Sequence, residues 1–355
     1  MDTFGFLCFG ILGLNIGPFQ ETLGRGKVMG TCMKKMAVFL GLAVISSIVF
    51  PQEKDFPSKP IRLVAPFGPG SGADSTGRFF ADLLGKALGQ PAFVENRPGA
   101  SGSVGAVAVK NAPADGYTLL VAGWSAQAVN PIVFQDLPYD PIKDFKPVSG
   151  LMRSALGFFV PANSKINSLA EFVAAAKNAR QPLNGGTISE GQQIVVAWFS
   201  GLAGVKFQNV PYKTGGQMLA DLMGNQIDWA IENIPSTTPM VRSGKLRMLA
   251  TSGETRHTEH PNVPTVRESG YPEFANYGWS GLYVRTETPA EVAGVLADAM
   301  QKVMALPAAR DYARKIGSEQ MMFGPEAMRK YEADQLATFR RVAKAAGIAA
   351  GKMGN

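Results

Sequence analysis

Thiols are nearly absent from this 355-residue chain, whose only cysteines are Cys8 and Cys32. Both precede the first segment that reads as folded, so a chain cut near residue 50 contains none. That excludes thiolate catalysis and cysteine-ligated metal in the mature protein. It also suits an oxidising compartment, where a stray thiol pairs wrongly. Histidine is as scarce: His257 and His260 are the only two. They stand as H-x-x-H in a polar stretch, and a metal would need a third ligand such as Glu254 or Glu259 on a defined helix. They read as solvated loop residues. No serine lies in a G-x-S-x-G setting, so a Ser-His-Asp site has no support. Gly-Lys-Ser/Thr is missing, which excludes a Walker A loop. Carboxylates are scattered without one compelling pair for acid–base work. No catalytic residue, metal or cofactor is expected.

Charge of one sign is also in short supply. The formal charge is +7, and residues 1–50 hold four bases and two acids, so the remainder carries +5. That excess is spread along the chain with no basic stripe or arm, which argues against nucleic acid. A weakly basic surface does help to draw in anions. Beyond residue 55 no apolar run approaches the roughly 20 residues of a membrane span. A soluble monomer is expected.

The N-terminus has an address. Lys34 and Lys35 precede an uncharged run of 14 residues, 37–50, the pattern of a secretory signal peptide. Cleavage is expected between Ser46 and Lys54, without a clear A-x-A site. No cysteine follows the run, so no lipid anchor is expected. A second apolar stretch, from Phe4 to Ile16, has no basic residue before it, which points to translation starting at Met29, Met33 or Met36. An uncleaved anchor is the alternative. Residues 1–52 are therefore set apart as a signal region with an N-terminal extension.

What remains is globular in balance, with 46% hydrophobic and 18% charged residues, and 355 residues accommodate two domains. Forty glycines and 24 prolines call for many turns. From Pro57 onward short apolar runs alternate with helical patterns, which predicts βαβ units around parallel sheets. Strands are expected at 61–65, 92–95, 117–122, 183–187, 207–210, 227–231 and 246–251. Helices are expected at 74–88, 102–111, 168–180, 192–203, 214–223 and 238–243, and over most of 289–346. Ser168 and Glu171 have capping-box spacing. Two extended stretches, 145–160 and 279–284, read as crossings between lobes. The C-terminal helix, 326–346, reads as a solvated helix packed on its own lobe.

The loop Pro66-Phe67-Gly68-Pro69-Gly70-Ser71-Gly72-Ala73-Asp74 lies between a predicted strand and a predicted helix. Such a loop offers unpaired N–H groups at the positive end of the helix, an anion site. The ionic contribution is about 0.3–1 kcal/mol at an exposed end, so several donors are needed. Gly68, Gly70 and Ala73 also match G-x-G-x-x-G/A, with Glu95 about 20 residues further on. Pro69 removes a donor from that loop, and a secreted protein meets little NAD. A tight turn capped by Asp74 remains a plain structural reading, compatible with ligand binding.

Several stretches resemble the substrate-binding family of tripartite tricarboxylate transporters (the Bug or TctC-like receptors). They are Phe56-Pro-Ser-Lys-Pro-Ile-Arg-Leu-Val-Ala-Pro-Phe67, Gly70-Ser-Gly-Ala-Asp74, Glu95-Asn-Arg-Pro-Gly-Ala-Ser-Gly-Ser-Val-Gly105 and Asp115-Gly-Tyr-Thr-Leu-Leu120. Asn130-Pro131, Leu137-Pro-Tyr-Asp-Pro-Ile-Lys-Asp-Phe145, Val210-Pro-Tyr-Lys213, Val263-Pro-Thr-Val266 and Gly270-Tyr-Pro272 follow in order. The resemblance implies an α/β, type II periplasmic binding protein fold. Lobe 1 would comprise 57–153 and 279–355, lobe 2 would be 154–278, and crossing strands would join them. It further implies a small carboxylate ligand, aliphatic or aromatic, and two integral-membrane transporter subunits as partners. The ligand would be held by backbone amides of two strand-to-helix loops. One is Phe67 to Asp74; the other includes Gly186, Thr187, Ile188, Ser189 and Gln192.

The chain departs from that family in the second loop, which here holds Ile188, Glu190, Gln192 and Gln193 and lacks the usual histidine. Glu190 would repel a carboxylate if it pointed inward. After the third strand stand Trp124, Ser125, Ala126 and Gln127 in place of small hydroxyl residues and a histidine. Trp124 either stacks on a flat ligand or packs beneath the loop. Glu232 replaces the family's usual Asp; one methylene longer, it either narrows the pocket or reaches an amine or hydroxyl on the ligand. The expected protein is a periplasmic receptor. A periplasmic enzyme acting on an anionic substrate and a sensor feeding a kinase are the alternatives.

Overall fold

Strand β1 (Ile61–Ala65) has Ile61, Leu63, Val64 and Ala65 buried, as a parallel strand covered on both faces requires. It lies between β2 (Ala92–Asn96) and β3 (Thr118–Gly123), parallel to both. Parallel neighbours need crossovers. Those are α1 (Gly72–Leu88) and α2 (Ser103–Lys110). Helix α1 turns Phe80, Ala81 and Leu84 inward and stops at Gly89, whose φ of 68° lets its N–H reach the Gly85 carbonyl. The computed structural model describes residues 56–352; the expectations for residues 1–52 lie outside it.

The second half repeats the scheme with β5 (Leu183–Thr187) parallel to both β6 (Phe207–Pro211) and β7 (Trp229–Asn233). Its helices are α4 (Leu169–Asn178), α5 (Glu190–Ala203), α6 (Gly215–Met223) and α7 (Ile234–Arg242). A short α3 (Asn130–Val133) belongs to the first half. Between the halves runs β4 (Phe145–Pro161), 17 residues long. The sheet order is β2-β1-β3-β9-β4-β7-β5-β6, where β9 is Tyr277–Arg285. Strands β8 (Leu246–Thr251) and β10 (Glu319–Gln320) also pair with β4.

Register decides which way the halves point. β9 is antiparallel to β3, with Gly123 opposite Ser280, and antiparallel to β4, with Arg153 opposite Trp279 and Ala155 opposite Tyr277. From Leu156 onward β4 pairs instead with β7, antiparallel, with Leu156 opposite Asn233. The carboxyl ends of β1 and β3 therefore approach the middle of β4 from one side, and those of β5 and β7 from the other. At about 3.3 Å per residue, Arg153 and Leu156 place the ends of β3 and β7 roughly 10 Å apart along β4.

The core does not divide with the sheet. One buried cluster joins Val64 and Leu120 of the first half to Phe158, Phe199 and Trp229 of the second. Trp229 stacks on Phe158 with centroids 5.9 Å apart. It fits because β5 has no side chain at Gly185, where a Cβ would lie 2.4 Å from the indole.

Three expectations are corrected. The second crossing falls at the start of β9 and not over 279–284. Tyr277 is buried with Phe159, Met218 and Ile234 of the second half, while the residues after it pair with β3 and with the portion of β4 that ends at Ala155. The two histidines are buried rather than solvated. Glu259 N–H donates to His257 Nδ1, so Nε2 carries the proton and donates to the Gly317 carbonyl at 3.2 Å. His260 Nε2 lies 2.9 Å from the Thr238 hydroxyl, and burial lowers its pKa. Their turn is folded against α7 and the end of α9 (Pro307–Lys315), which the polar composition of the stretch concealed. Lastly, α10 (Pro325–Ala345), which follows α8 (Ala290–Ala305) and α9, buries Phe339 and Val342 in the shared cluster and packs on α5 as well as on β4.

The close approach of β3 and β9 gives a test. A Cβ on Gly123 would lie 2.0 Å from the Trp279 carbonyl oxygen, which is main chain and cannot swing aside, whereas one on Gly68 meets nothing within 4 Å. Gly123→Ala is expected to destabilise the fold by about 1–3 kcal/mol or more, read from the urea midpoint. Gly68→Ala is expected to stay within about 0.5 kcal/mol.

Candidate ligand-binding site

The loop after β1 is held by local hydrogen bonds. Ser71, extended at φ −67° and ψ 162°, is the N-cap of α1, and its hydroxyl accepts from Asp74 N–H at 3.2 Å. Asp74 is thus the third residue of the helix and not its cap, as the sequence had implied. Its carboxylate reaches back to Gly70 N–H at 2.9 Å and also accepts from Asn96 Nδ2 at 2.9 Å, with Arg78 equally close. The Gly70 N–H, Arg78 and Asn96 outweigh burial and hold its pKa at about 2. Gly70 has φ 81°, the left-handed region that favours glycine. Asn96 also donates to the Phe67 carbonyl at 3.0 Å, so both ends of the loop are tied to the end of β2. At the mouth of the helix the N–H groups of Gly72 and Ala73 have no intrahelical acceptor. Glu95 is engaged by Arg62 and Arg97, which removes the ribose acid of the dinucleotide reading.

The loop after β5 is built the same way. Ser189 is the N-cap of α5, accepts from Gln192 N–H at 3.3 Å, and Gln192 Oε1 accepts from Ile188 N–H at 2.7 Å. Thr187 is buried, its hydroxyl donating to Asn209 Oδ1 at 2.7 Å. Gly186 has no room for a side chain, since a Cβ there would lie 2.7 Å from Met218 and Ile227. Glu190 is exposed at the first position of α5, and the N–H groups of Glu190 and Gly191 open the helix as those of Gly72 and Ala73 do. The same capping device begins the exposed α4, where Glu171 reaches Asn167 N–H at 2.8 Å. The device fixes a loop; its position at the carboxyl ends of inner strands sets these two apart.

Trp124 is half-buried and wedged. A Cβ on Gly191 would lie 3.1 Å from its ring and one on Gly278 3.8 Å away, with Phe339 edge-on behind at 6.3 Å between centroids. The indole joins the loop after β3 to the start of α5, and its half-buried position is compatible with both readings. Ser125–Val129 forms one π-helical turn, a feature frequent at functional sites. Within it Ala126 is buried, its carbonyl accepting from Tyr139 Oη at 2.7 Å, and Gln127 is buried with neither amide atom partnered.

Glu232, at the end of β7, is 3% exposed. Its Oε1 accepts from Asn233 N–H at 2.7 Å and Asn233 Nδ2 at 3.0 Å; Oε2 has no hydrogen-bond partner. Burial pushes its pKa up, while the Asn233 amides and the nearby Gln192 side chain pull it down. A Cβ on Gly215, the first residue of α6, would lie 3.2 Å from Oε2 and 3.9 Å from Ile188.

The structure therefore brings together Trp124 with Gly191, and Glu232 with Gln192, Ile188 and the start of α6. The loop of Phe67 to Asp74 stands at the same ends of the first-half strands, tied to Asn96. Two organising residues, Asn96 and Asn233, did not stand out in the sequence. Each follows a glutamate at the end of a strand, as Glu95-Asn96 and Glu232-Asn233, and that repeated dipeptide was the available signal. A groove of about 800 Å³ between α5 and α10, bordered by Trp198, Arg341 and Ile348, includes none of the predicted binding residues. Among the described residues no group of three or more His, Cys, Asp or Glu could hold a metal.

The fold, with helix-opening loops opposed at the carboxyl ends of two sheet halves, is that of the periplasmic binding proteins. The family profile described as tripartite tricarboxylate transporter family receptor (TctC) matches residues 77–348, and the chain belongs to that family. A UPF0065 protein of Bordetella bronchiseptica is 32% identical over 334 residues, covering 94% of this chain and 98% of the relative. An R. palustris protein solved with adipate superposes with a TM-score of 0.73 at 29% identity, over 84% of this chain and all of that one. MatC from Rhodopseudomonas palustris, solved with bound malate, gives 0.68 at 26% identity, over 81% and 99%.

Asp74 generates a pH prediction. Its pKa falls from an ordinary 3.8 to about 2 on folding, so its contribution is complete above the unfolded value and is lost as pH falls through about 2. Asp74→Asn is expected to flatten the decline in urea midpoint between about pH 4 and 2. An unchanged acid limb would remove Asp74 from its role in fixing the loop.

Proposed function

We propose that this chain is an extracytoplasmic receptor that captures a small carboxylate for a tripartite tricarboxylate-type transporter. It would be exported by the signal region within residues 1–52. One observation carries the reading: the register of β4 opposes the carboxyl ends of β1 and β3 to those of β5 and β7. At those ends stand two helix mouths with Ser71 and Ser189 as caps. An anion between them would meet N–H donors and the positive ends of both helices. Adipate and malate, present in the two structures compared, are dicarboxylates, which supports the class of ligand. The residues 57–153 with 279–355 would form one lobe and 154–278 the other. Closure about β4, where its partner changes from β9 to β7, would favour the liganded state because only then do both mouths touch one anion. Delivery would be to two integral-membrane subunits.

A thermal-shift screen of mono-, di-, tri- and aromatic carboxylates tests this. A true ligand at 100 times its Kd adds about 2.7 kcal/mol of stability; no shift with any acid would sink the proposal. Two proline substitutions then place the site. Gly72 and Glu190 are first helical residues, where proline is tolerated. The residues before them, Ser71 and Ser189, are already extended, with ψ of 162° and 156°. Gly72→Pro and Glu190→Pro each delete one N–H donor and are expected to weaken binding by about 10–100-fold, the worth of a hydrogen bond to a charged group. Glu190→Gln, which removes only the charge, is the baseline for the second, and calorimetry is the readout.

A further inference from the structure

Glu232 Oε2 is a buried oxygen with no hydrogen-bond partner, which leaves its desolvation uncompensated. The surrounding chain supplies partners for Oε1 alone, both of them N–H donors from Asn233. Against the burial that raises its pKa, the two Asn233 donors favour the ionised carboxylate, and in that form Oε2 is an acceptor. The other oxygen faces the start of α6, a nine-residue helix, at Gly215. Glycine there keeps a side chain off this buried oxygen, since a Cβ would sit 3.2 Å from it. Ile188, which borders the same Gly215 position, and Gln192 bring the loop after β5 to this carboxyl. Gln192 Oε1 accepts from Ile188 N–H, and its side-chain amide lies close enough to lower the Glu232 pKa, but no hydrogen bond to Oε2 forms. A bare acceptor thus stands beside the loop assigned to the ligand carboxylate.

We infer that Glu232 Oε2 receives a hydroxyl or ammonium donor of the ligand, which makes the protein selective for hydroxy- or amino-carboxylates over the plain acid of the same length. The inference rests on the receptor reading above and adds a chemical group to it. A ligand that fills the pocket without a donor leaves Oε2 unpaired, and that penalty recurs in every such complex. Sites built to pair a donor reject analogues that lack it far more strongly than apolar pockets reject a change of one methylene.

The test uses sets of acids that differ only at C2: succinate, malate and aspartate, and the longer glutarate, 2-hydroxyglutarate and glutamate. Affinities are measured by calorimetry on the mature protein. In the native protein the hydroxy or amino acid is expected to bind at least about tenfold tighter than its plain counterpart. In Glu232→Gln that ratio is expected to shrink to within about threefold. Gly215→Ala, which places a methyl over Oε2 at a helical position that alanine favours, is expected to reduce the ratio as well and serves if the first variant does not fold. Plain acids that bind as well as their C2-substituted partners would overturn the inference and leave the receptor standing. So would a ratio that both variants leave intact. Binding by none of the six overturns this inference; only failure of the wider carboxylate panel reaches the receptor reading.

Discussion

The placement of every loop discussed above depends on β4 changing its partner between Ala155 and Leu156. Before that point the strand is hydrogen-bonded to β9, after it to β7 and β8. Because both changes are antiparallel, the two sets of parallel strands must end towards each other. In α/β sheets ligands gather outside strand carboxyl ends, where loops diverge and helix N-termini converge. Here two such edges are opposed, and a strand 17 residues long fixes their separation. The shared cluster of Phe158, Phe199, Trp229 and Phe339 runs past the same point. Movement of the halves therefore works against a continuous close-packed core, and α10 ties both to one helix.

Loops that offer N–H groups must hold their shape without spending those groups on themselves. Ser71 and Ser189 satisfy the third N–H of each helix, and Asp74 and Gln192 satisfy an N–H just before it. That leaves the first two helical donors of each mouth unclaimed by the helix. The choice of a carboxylate in one loop and an amide in the other has an electrostatic consequence. Asp74 places a negative charge near the mouth of α1, offset by Arg78 at 2.9 Å, whereas Gln192 leaves the mouth of α5 neutral on its inner side. Trp124 then couples the two halves sterically: a Cβ at Gly191 would crowd the indole at 3.1 Å, while one at Gly278 would make ordinary contact at 3.8 Å.

The order and type of the elements were legible in the sequence, because short apolar runs and 3.6-residue patterns report burial directly. The strands at 183–187 and 246–251 agree to the residue, and Ser168 caps its helix as expected, although Glu171 reaches back to Asn167 N–H and not to Ser168. The first-loop glycines and the Ser189 region were legible too, as turn chemistry and as a family resemblance. Less was legible wherever a residue's meaning depends on what packs against it. His257 and His260 sit in a polar stretch, and only the folding of their turn against α7 and Gly317 buries them. Asp74 looked like a cap because its type suits one, yet the neighbouring serine took that place.

Local pattern by itself thus determined an α/β chain and the glycine- and serine-bearing turns that lead into its helices. Only the tertiary structure decided where along β9 the chain passes from the second half to the first, that α10 packs on both, and that Trp124 meets the start of α5. Only there does Glu232 acquire a buried, unpartnered oxygen. Hydrogen-bond caps and apolar periodicity act over three or four residues and are written along the chain. Strand register and the burial of single polar atoms arise between segments distant along the chain, as in the pairing of β4 with β9, where no local signal carries them.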